Sequence, residues 1–269
     1  MTDKATITEA VQERYGSIAR GERSGCGCSP TVTSSAIGYS QEDLAAAGVA
    51  NLGLGCGNPL ALAGIEPGMT VLDLGSGAGF DAFLAWQRVG PQGRVLGVDM
   101  TDDMLALARR NALQLGASNV EFRKGNIEHL PVEDASVDLV ISNCVVSLSP
   151  DKAPVFREIH RVLRPGGRFA LSDIVLLHPL PASIAADLQS YVGCVAGASL
   201  LSDYLSMALE AGLTELSVPQ ITDGCTLASS LLPGGSNDLV GIRARFGEEL
   251  IAQALRAMVS AKVHGRKPL

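Results

Sequence analysis

The stretch Thr70-Val-Leu-Asp-Leu-Gly-Ser-Gly-Ala-Gly79 decides how this chain folds. A short apolar run, Thr70–Leu74, meets Gly75, Gly77 and Gly79, and a helical pattern over Phe80–Val89 follows. The first glycine permits a tight turn, and the others let backbone approach a ligand where a Cβ would intervene. The spacing is G-x-G-x-G, with Phe80 standing where the dinucleotide fingerprint has its last glycine, and no G-K-[ST] follows to make a P-loop. A second strand, Arg94–Val98, ends at Asp99, where an acid can accept hydrogen bonds from both hydroxyls of a ribose. Strand, glycine turn, helix and terminal acid together read as an adenosine site.

Working outward, Thr101 and Asp102 can cap a helix that runs to about Leu115 with Met104, Leu105 and Ala108 on one face. Further strands are expected over Val120–Arg123, Val137–Ser142 and Arg168–Ser172, with a helix over Ala153–Leu163 broken by Pro165-Gly166-Gly167. Strands that alternate with helices make βαβ units, hence an α/β fold with a mainly parallel sheet and helices on both faces. Glu215–Val218 and Met258–His264 are two more strand candidates able to complete that sheet. Upstream, Ala10, Val11, Tyr15 and Ile18 have helical spacing, Gly21 to Ser35 reads as a flexible loop, and Ser40 to Asp43 opens a short helix. The organisation expected is an N-terminal segment 1–64 with a thiol loop and a lid-like turn, a Rossmann-like core 65–175, and a region 176–269 that covers the site and finishes the sheet.

Composition limits the function. A chain of 269 residues, 46% hydrophobic, has enough apolar material for a core without disulfide or metal staples. A formal charge of −7 argues against nucleic acid and against an anionic membrane surface as partner. Met1–Ala10 has neither a basic n-region nor an apolar h-region, and no apolar run reaches the ~18–20 residues of a spanning helix, so a cytoplasmic protein is expected.

In a reducing compartment the six cysteines need another explanation than disulfides. No C-x2-C pair or paired histidine suggests structural zinc. Cys144 follows the fourth strand, at the carboxyl edge where α/β sheets hold ligands. Cys56 lies in a glycine-rich turn, Asn51-Leu-Gly-Leu-Gly-Cys-Gly-Asn-Pro59, and Cys194 in Tyr191-Val-Gly-Cys-Val-Ala-Gly-Ala198; both segments can fold over that edge. Each alone reads as a small buried hydrophobe. Converging, they would suit a soft, thiophilic centre. Cys26 and Cys28 sit in the N-terminal loop, and Cys225 reads as a spare surface thiol. No histidine stands out as a base: His160 belongs to a charged helix face, His178 to a proline-flanked loop, and His129 to an exposed turn.

Val71–Gly79, Asp99, Gly125-Asn-Ile-Glu-His-Leu-Pro131, Asp134-Ala-Ser-Val-Asp-Leu-Val140 and Arg161-Val-Leu-Arg-Pro-Gly-Gly167 together resemble the motifs of class I S-adenosylmethionine-dependent methyltransferases. That resemblance implies a seven-stranded sheet with a C-terminal antiparallel strand and S-adenosylmethionine across the carboxyl ends of the strands. It implies that Asp73, Gly75, Ser76, Gly77 and Gly79 line the methionine part, Asp99 the ribose, and Met100, Asn126 and Ile127 the adenine, with Glu128 beside them. The three cysteine settings, including Ser142-Asn-Cys-Val-Val-Ser-Leu-Ser-Pro-Asp-Lys152, further resemble arsenite S-adenosylmethionine methyltransferases. This implies As(III) held by Cys56, Cys144 and Cys194 as thiolates, and thiol exchange by Cys26 or Cys28. Arsenite or its glutathione conjugate is then the acceptor, thioredoxin or glutathione the reductant, and arsenic detoxification the role, in a monomer by default. The family usually has Asn where Ser147 stands, and Cys225 has no clear counterpart. A small-molecule C- or O-methyltransferase and a non-catalytic As(III)-binding protein are the alternatives.

Overall fold

The computed structural model describes residues 3–22, 30–192, 194–231 and 244–269. Its centre is β1 (Thr70–Leu74), flanked by β2 (Arg94–Asp99) and β4 (Val137–Asn143), with β3 (Val120–Lys124) outside β2. These four run parallel, and β5 (Leu163–Leu176) joins β4 in parallel. β7 (Met258–Arg266) then pairs antiparallel with both β5 and β6 (Thr214–Asp223), giving a seven-stranded sheet ordered β3-β2-β1-β4-β5-β7-β6. The inner parallel strands are covered on both faces, which is why they read as continuous apolar runs without alternation. The α/β class and the closing antiparallel strand agree with expectation.

Helices fill both faces. Phe83, Leu105 and Ala108, from α4 (Phe80–Val89) and α5 (Asp102–Leu115), pack on the side that includes Val71, Val95 and Ile141. Phe156 and Ile159 of α6 (Lys152–Val162) pack with Leu72, Val140 and Phe169 on the other side. Val11, Tyr39, Leu44, Cys56 and Leu60 belong to the first of these cores, so the N-terminal segment packs directly on the sheet. Its short helix α3 (Gln41–Ala47) starts with a reciprocal capping box between Ser40 and Asp43.

Two local readings change. The Gly21–Ser35 stretch expected as loop contains the start of a helix, α2 (Pro30–Ala36), with Pro30 in its first turn and Thr33 and Ser34 buried. Pro165-Gly166-Gly167 interrupts no strand: β5 begins at Leu163 and runs through it. A register shift between Val137 and Leu139 absorbs the irregularity, and the Gly166 N–H, at φ +76°, donates to the Lys267 carbonyl. Proline disfavours helix at the residue before it, so the chain leaves α6 after Val162 and is extended from Leu163 through Arg164, as a strand requires.

Candidate functional site

The loops leaving β1, β2 and β4 open on the same edge of the sheet and line a cleft of about 1260 Å³. Helix α1 (Lys4–Ala19) covers part of it, contributing Val11 and Tyr15, with its ends tied down by Lys4–Asp151 and Arg20–Asp103 ion pairs.

One wall is built from the glycine turn. Gly75 and Gly77 line the cleft at φ +64° and +51°. A Cβ on Gly75 would stand 2.5 Å from the Val145 methyls, so the turn and the β4 loop fit only without one. Asp99 accepts from the Gly77 N–H at 2.9 Å and the Thr101 N–H at 2.8 Å, which fixes both carboxylate oxygens and leaves each a lone pair for a hydroxyl. Asp73 Oδ2 and Ser76 Oγ are buried without a protein partner and both residues line the cleft. Burial, then the nearby Asp81 and Asp99, pushes the Asp73 carboxyl well up. An orphaned buried carboxylate and hydroxyl call for a polar ligand, and an amino acid ammonium meets the need of the first. Met100, Asn126 and Ile127 line the far end. The residues present therefore fit S-adenosylmethionine. Gly79 is the exception among the expected set. It caps α4 at φ +95°, and a Cβ there would strike Phe83 at 2.6 Å and Phe122 at 2.9 Å, so it serves helix–sheet packing outside the cleft.

The opposite wall carries thiols. Cys56, Cys144 and Cys194 are all buried and all line the cleft. Cys56 Sγ, Cys144 Sγ and a carboxylate oxygen of Asp173 lie within 4.8 Å of one another. Cys194 joins this group through Cys144, whose carbonyl accepts the Cys194 thiol at 3.5 Å. The Ser172 carbonyl accepts the Cys144 N–H at 2.7 Å and the Cys56 thiol at 3.6 Å, drawing both onto β5. Cys144 and Cys194 have φ of +61° and +66°, a left-handed backbone that side chains other than glycine rarely adopt. Each such residue costs about 1–2 kcal/mol, and strain of this kind gathers where function demands a geometry.

Ionisation follows from burial. Burial raises the Cys56 thiol. The Cys194 thiol beside it opposes a rise at Cys144, but the Cys56 thiol and burial carry it well above the usual thiol range. Cys194 rises through the neighbouring Cys144 thiol and its burial. Asp173 is pushed up to about 6 by burial, against the Ser147 and Ile174 N–H groups that donate to it at 2.9 Å.

Several participants lie outside the sequence reading. Asn143 Oδ1 accepts the Cys56 N–H at 3.1 Å and its Nδ2 donates to the Gly57 carbonyl at 2.8 Å, so the Cys56 turn hangs from the end of β4. Tyr39 and Asp81 stand behind this clamp, the tyrosine donating to the carboxylate at 2.6 Å. The Tyr15 hydroxyl lies 3.8 Å from Cys194 Sγ. Tyr204 donates to Asp173 at 3.3 Å and stacks edge-on against Phe156. Ser147 supplies its backbone to Asp173, while its hydroxyl is buried without a partner. Cys26 and Cys28 lie outside the described residues. Cys225 is exposed on the helix Gly224–Leu231. His129 lines the cleft mouth, whereas His160 packs over Gly212, and His178 is exposed.

A methyltransferase domain model matches residues 65–216. An arsenite methyltransferase of Halobacterium salinarum is 50% identical over 232 residues, covering 80% of this chain and 59% of that protein. A human arsenite methyltransferase is 36% identical over 151 residues, or 53% of this chain and 40% of its own length. The chain thus spans well under two thirds of the curated relatives it matches. Among solved structures, an arsenic(III) S-adenosylmethionine methyltransferase from Chlamydomonas reinhardtii is 35% identical, with a TM-score of 0.61, covering 90% of this chain and 75% of that one.

Proposed function

Because this chain belongs to the arsenic(III) S-adenosylmethionine methyltransferases, within the methyltransferase-domain family, we propose that it methylates trivalent arsenic held by Cys56, Cys144 and Cys194. The observation that carries this reading is that all three thiols line the cleft that Asp73 and Asp99 also line, with Cys56 Sγ and Cys144 Sγ in one close group. Three thiols displace three hydroxides from arsenous acid as water, so capture needs no net proton transfer to the protein. Trithiolate arsenic keeps its lone pair, which makes a general base for the acceptor unnecessary; among the described residues, no histidine joins the close group of Cys56, Cys144 and Asp173.

When bound, S-adenosylmethionine supplies an electrophilic sulfonium methyl group. The chain's own part is positioning. Asp99 would hold the ribose, the Gly75–Gly77 turn and Asp73 the methionine end with Asp73 on its ammonium, and Met100, Asn126 and Ile127 the base. Asn143 and the Ser172 carbonyl fix the thiol wall, and α1 screens it from water. Methyl transfer raises arsenic formally by two electrons. Two thiols return them by closing a disulfide, for which Cys26 or Cys28 with Cys56 are the candidates, and thioredoxin or glutathione then reopens it by exchange. Arsenite or its glutathione conjugate would enter as the acceptor, and a role in arsenic detoxification follows.

The test is direct. Cys56→Ser, Cys144→Ser and Cys194→Ser should each abolish formation of methylated arsenicals from arsenite, S-adenosylmethionine and reductant, while cofactor binding by calorimetry persists. Wild-type rates in all three would sink the trithiolate site. Arsenic bound without methyl product would mark a binding protein, and methylation of an organic acceptor indifferent to the substitutions would mark a small-molecule enzyme.

A further inference from the structure

Asp173 is the one member of the close group on the thiol wall that the methyl transfer above leaves idle. It is 1% exposed on β5, behind Cys56 and Cys144, which line the cleft while it does not. One of its carboxylate oxygens and the two Sγ atoms all lie within 4.8 Å of one another. Its orientation is fixed. Oδ1 accepts the Ile174 N–H at 2.9 Å, and Oδ2 accepts the Ser147 N–H at 2.9 Å and the Tyr204 hydroxyl at 3.3 Å. Oδ1 therefore keeps a lone pair to give. Among the described residues no cation pairs with it: Lys152, whose charge reaches it, donates to the Ser149 carbonyl at 2.8 Å. Native proteins pair a buried carboxylate or use it to coordinate a metal.

Two thiols and a carboxylate are a different donor set from three thiols. Trivalent arsenic takes sulfur alone in the reading above, with Cys194 as the third ligand. Calcium and magnesium take shells of oxygen. A mixed set of two sulfurs and one oxygen suits a borderline-soft divalent cation with tetrahedral habit, which is zinc. Zn–S bonds of about 2.3 Å and Zn–O bonds of about 2.0–2.2 Å put tetrahedral ligands about 3.6–3.8 Å apart, so the group has to close by about 1 Å. The Ser147, Ile174 and Tyr204 donors supply the outer hydrogen bonds that a ligating carboxylate ordinarily has.

We propose that Cys56, Cys144 and Asp173 form a binding site for a divalent cation of the zinc class, with its fourth position open to the cleft. Each thiol gives its proton to solvent on binding. The site needs neither arsenic nor S-adenosylmethionine and stands on these three side chains. Its consequence rests on the arsenic reading above: zinc on two of the three thiols holds arsenite out until arsenite displaces it.

The test uses the full chain, reduced and metal-free, carrying Cys26→Ser, Cys28→Ser and Cys225→Ser so that only the three cleft thiols remain. Zinc chloride titrated against a chromophoric chelator should fill one site. Cys56→Ser, Cys144→Ser and Asp173→Asn should each weaken it by about 10-fold or more, whereas Cys194→Ser should change it by less than about 3-fold. S-adenosylmethionine binding by calorimetry reports that each variant is folded. Absence of zinc binding overturns the proposal, as does wild-type zinc affinity in folded Asp173→Asn. A loss in Cys194→Ser as large as in the other thiol variants also overturns it. Should Asp173→Asn not fold, X-ray absorption at the zinc edge of the unsubstituted site decides: two sulfurs with oxygen support the site, and three sulfurs overturn it. Excess arsenite should release the zinc. Zinc that stays overturns the shared occupancy and the trithiolate reading with it, while arsenite capture without zinc binding overturns this site alone.

Discussion

The two walls of the cleft meet one backbone requirement with different residues. On the cofactor wall, Gly75 and Gly77 take left-handed conformations at φ +64° and +51°. Glycine does so at no steric cost. On the thiol wall, Cys144 and Cys194 take the same conformations at +61° and +66°, each with a Cβ in the way. The first wall needs backbone close to a ligand and nothing more. The second must present a sulfur atom, so the residue that would relax the backbone is the one it cannot use. Strain there is the cost of aiming a side chain.

The largest effect expected is on the relaxed wall. Gly75→Ala places a Cβ 2.5 Å from Val145 in a backbone that disfavours it. Strain and overpacking together should lower unfolding free energy by about 2–4 kcal/mol in denaturant titrations and remove cofactor binding. If Gly75→Ala binds S-adenosylmethionine as the wild type does, the turn has less need of glycine than its geometry implies.

The next effect separates the walls by protonation. Burial holds the thiols of the second wall high, so the thiolate fraction that attacks arsenic should rise about tenfold per pH unit through neutrality. Stopped-flow capture of arsenite should therefore be about 100-fold faster at pH 8 than at pH 6. Equilibrium affinity should change far less, since protons leaving the thiols are consumed in releasing water. A flat rate would mean that one thiol is already ionised.

A smaller effect measures the strain itself. Cys144→Gly and Cys144→Ala both lack the thiol, but only the first relieves the left-handed backbone. Cys144→Gly should be the more stable of the two by about 1 kcal/mol, the reverse of their usual order. Equal stabilities would place the cost of the thiol wall elsewhere. The smallest effect is expected at Tyr15, whose hydroxyl is 3.8 Å from Cys194 Sγ. Tyr15→Phe should lower arsenite turnover by about 2- to 10-fold with cofactor affinity unchanged. A loss of both would make the tyrosine a packing residue of α1.

The same contrast explains what was legible in the amino-acid order. β1, its glycines and Asp99 are local signals: an apolar run, a turn that needs missing side chains, an acid at a strand end. They specify the sheet centre and the cofactor wall. The thiol wall rests on contacts between distant residues. Asn143 meets Cys56 across a separation of 87 positions, and Tyr15 meets Cys194 across 179. No spacing encodes such meetings, and Asp173 has no local sign beyond an acid inside an apolar strand. Local signals also misled where tertiary pairing overrode them. Pro165-Gly166-Gly167 has the chemistry of a turn, yet pairing with β4 and β7 draws it into β5. Gly79 was legible as a glycine needed for shape, though its need is Phe83 and Phe122 and not a ligand.

Asn143 ends β4 beside the thiols, and its side chain carries an amide. That amide takes an N–H from Cys56 and gives an N–H to the carbonyl of Gly57, the exchange a peptide unit makes with a neighbouring chain. The side chain thereby extends the sheet sideways by one artificial rung, and the turn at residues 51–59 docks on it without being a strand. Cys56 inherits the stiffness of the sheet through a single carboxamide. Shortening or recharging that group would loosen one of the three proposed arsenic ligands while leaving every sulfur atom in the protein untouched.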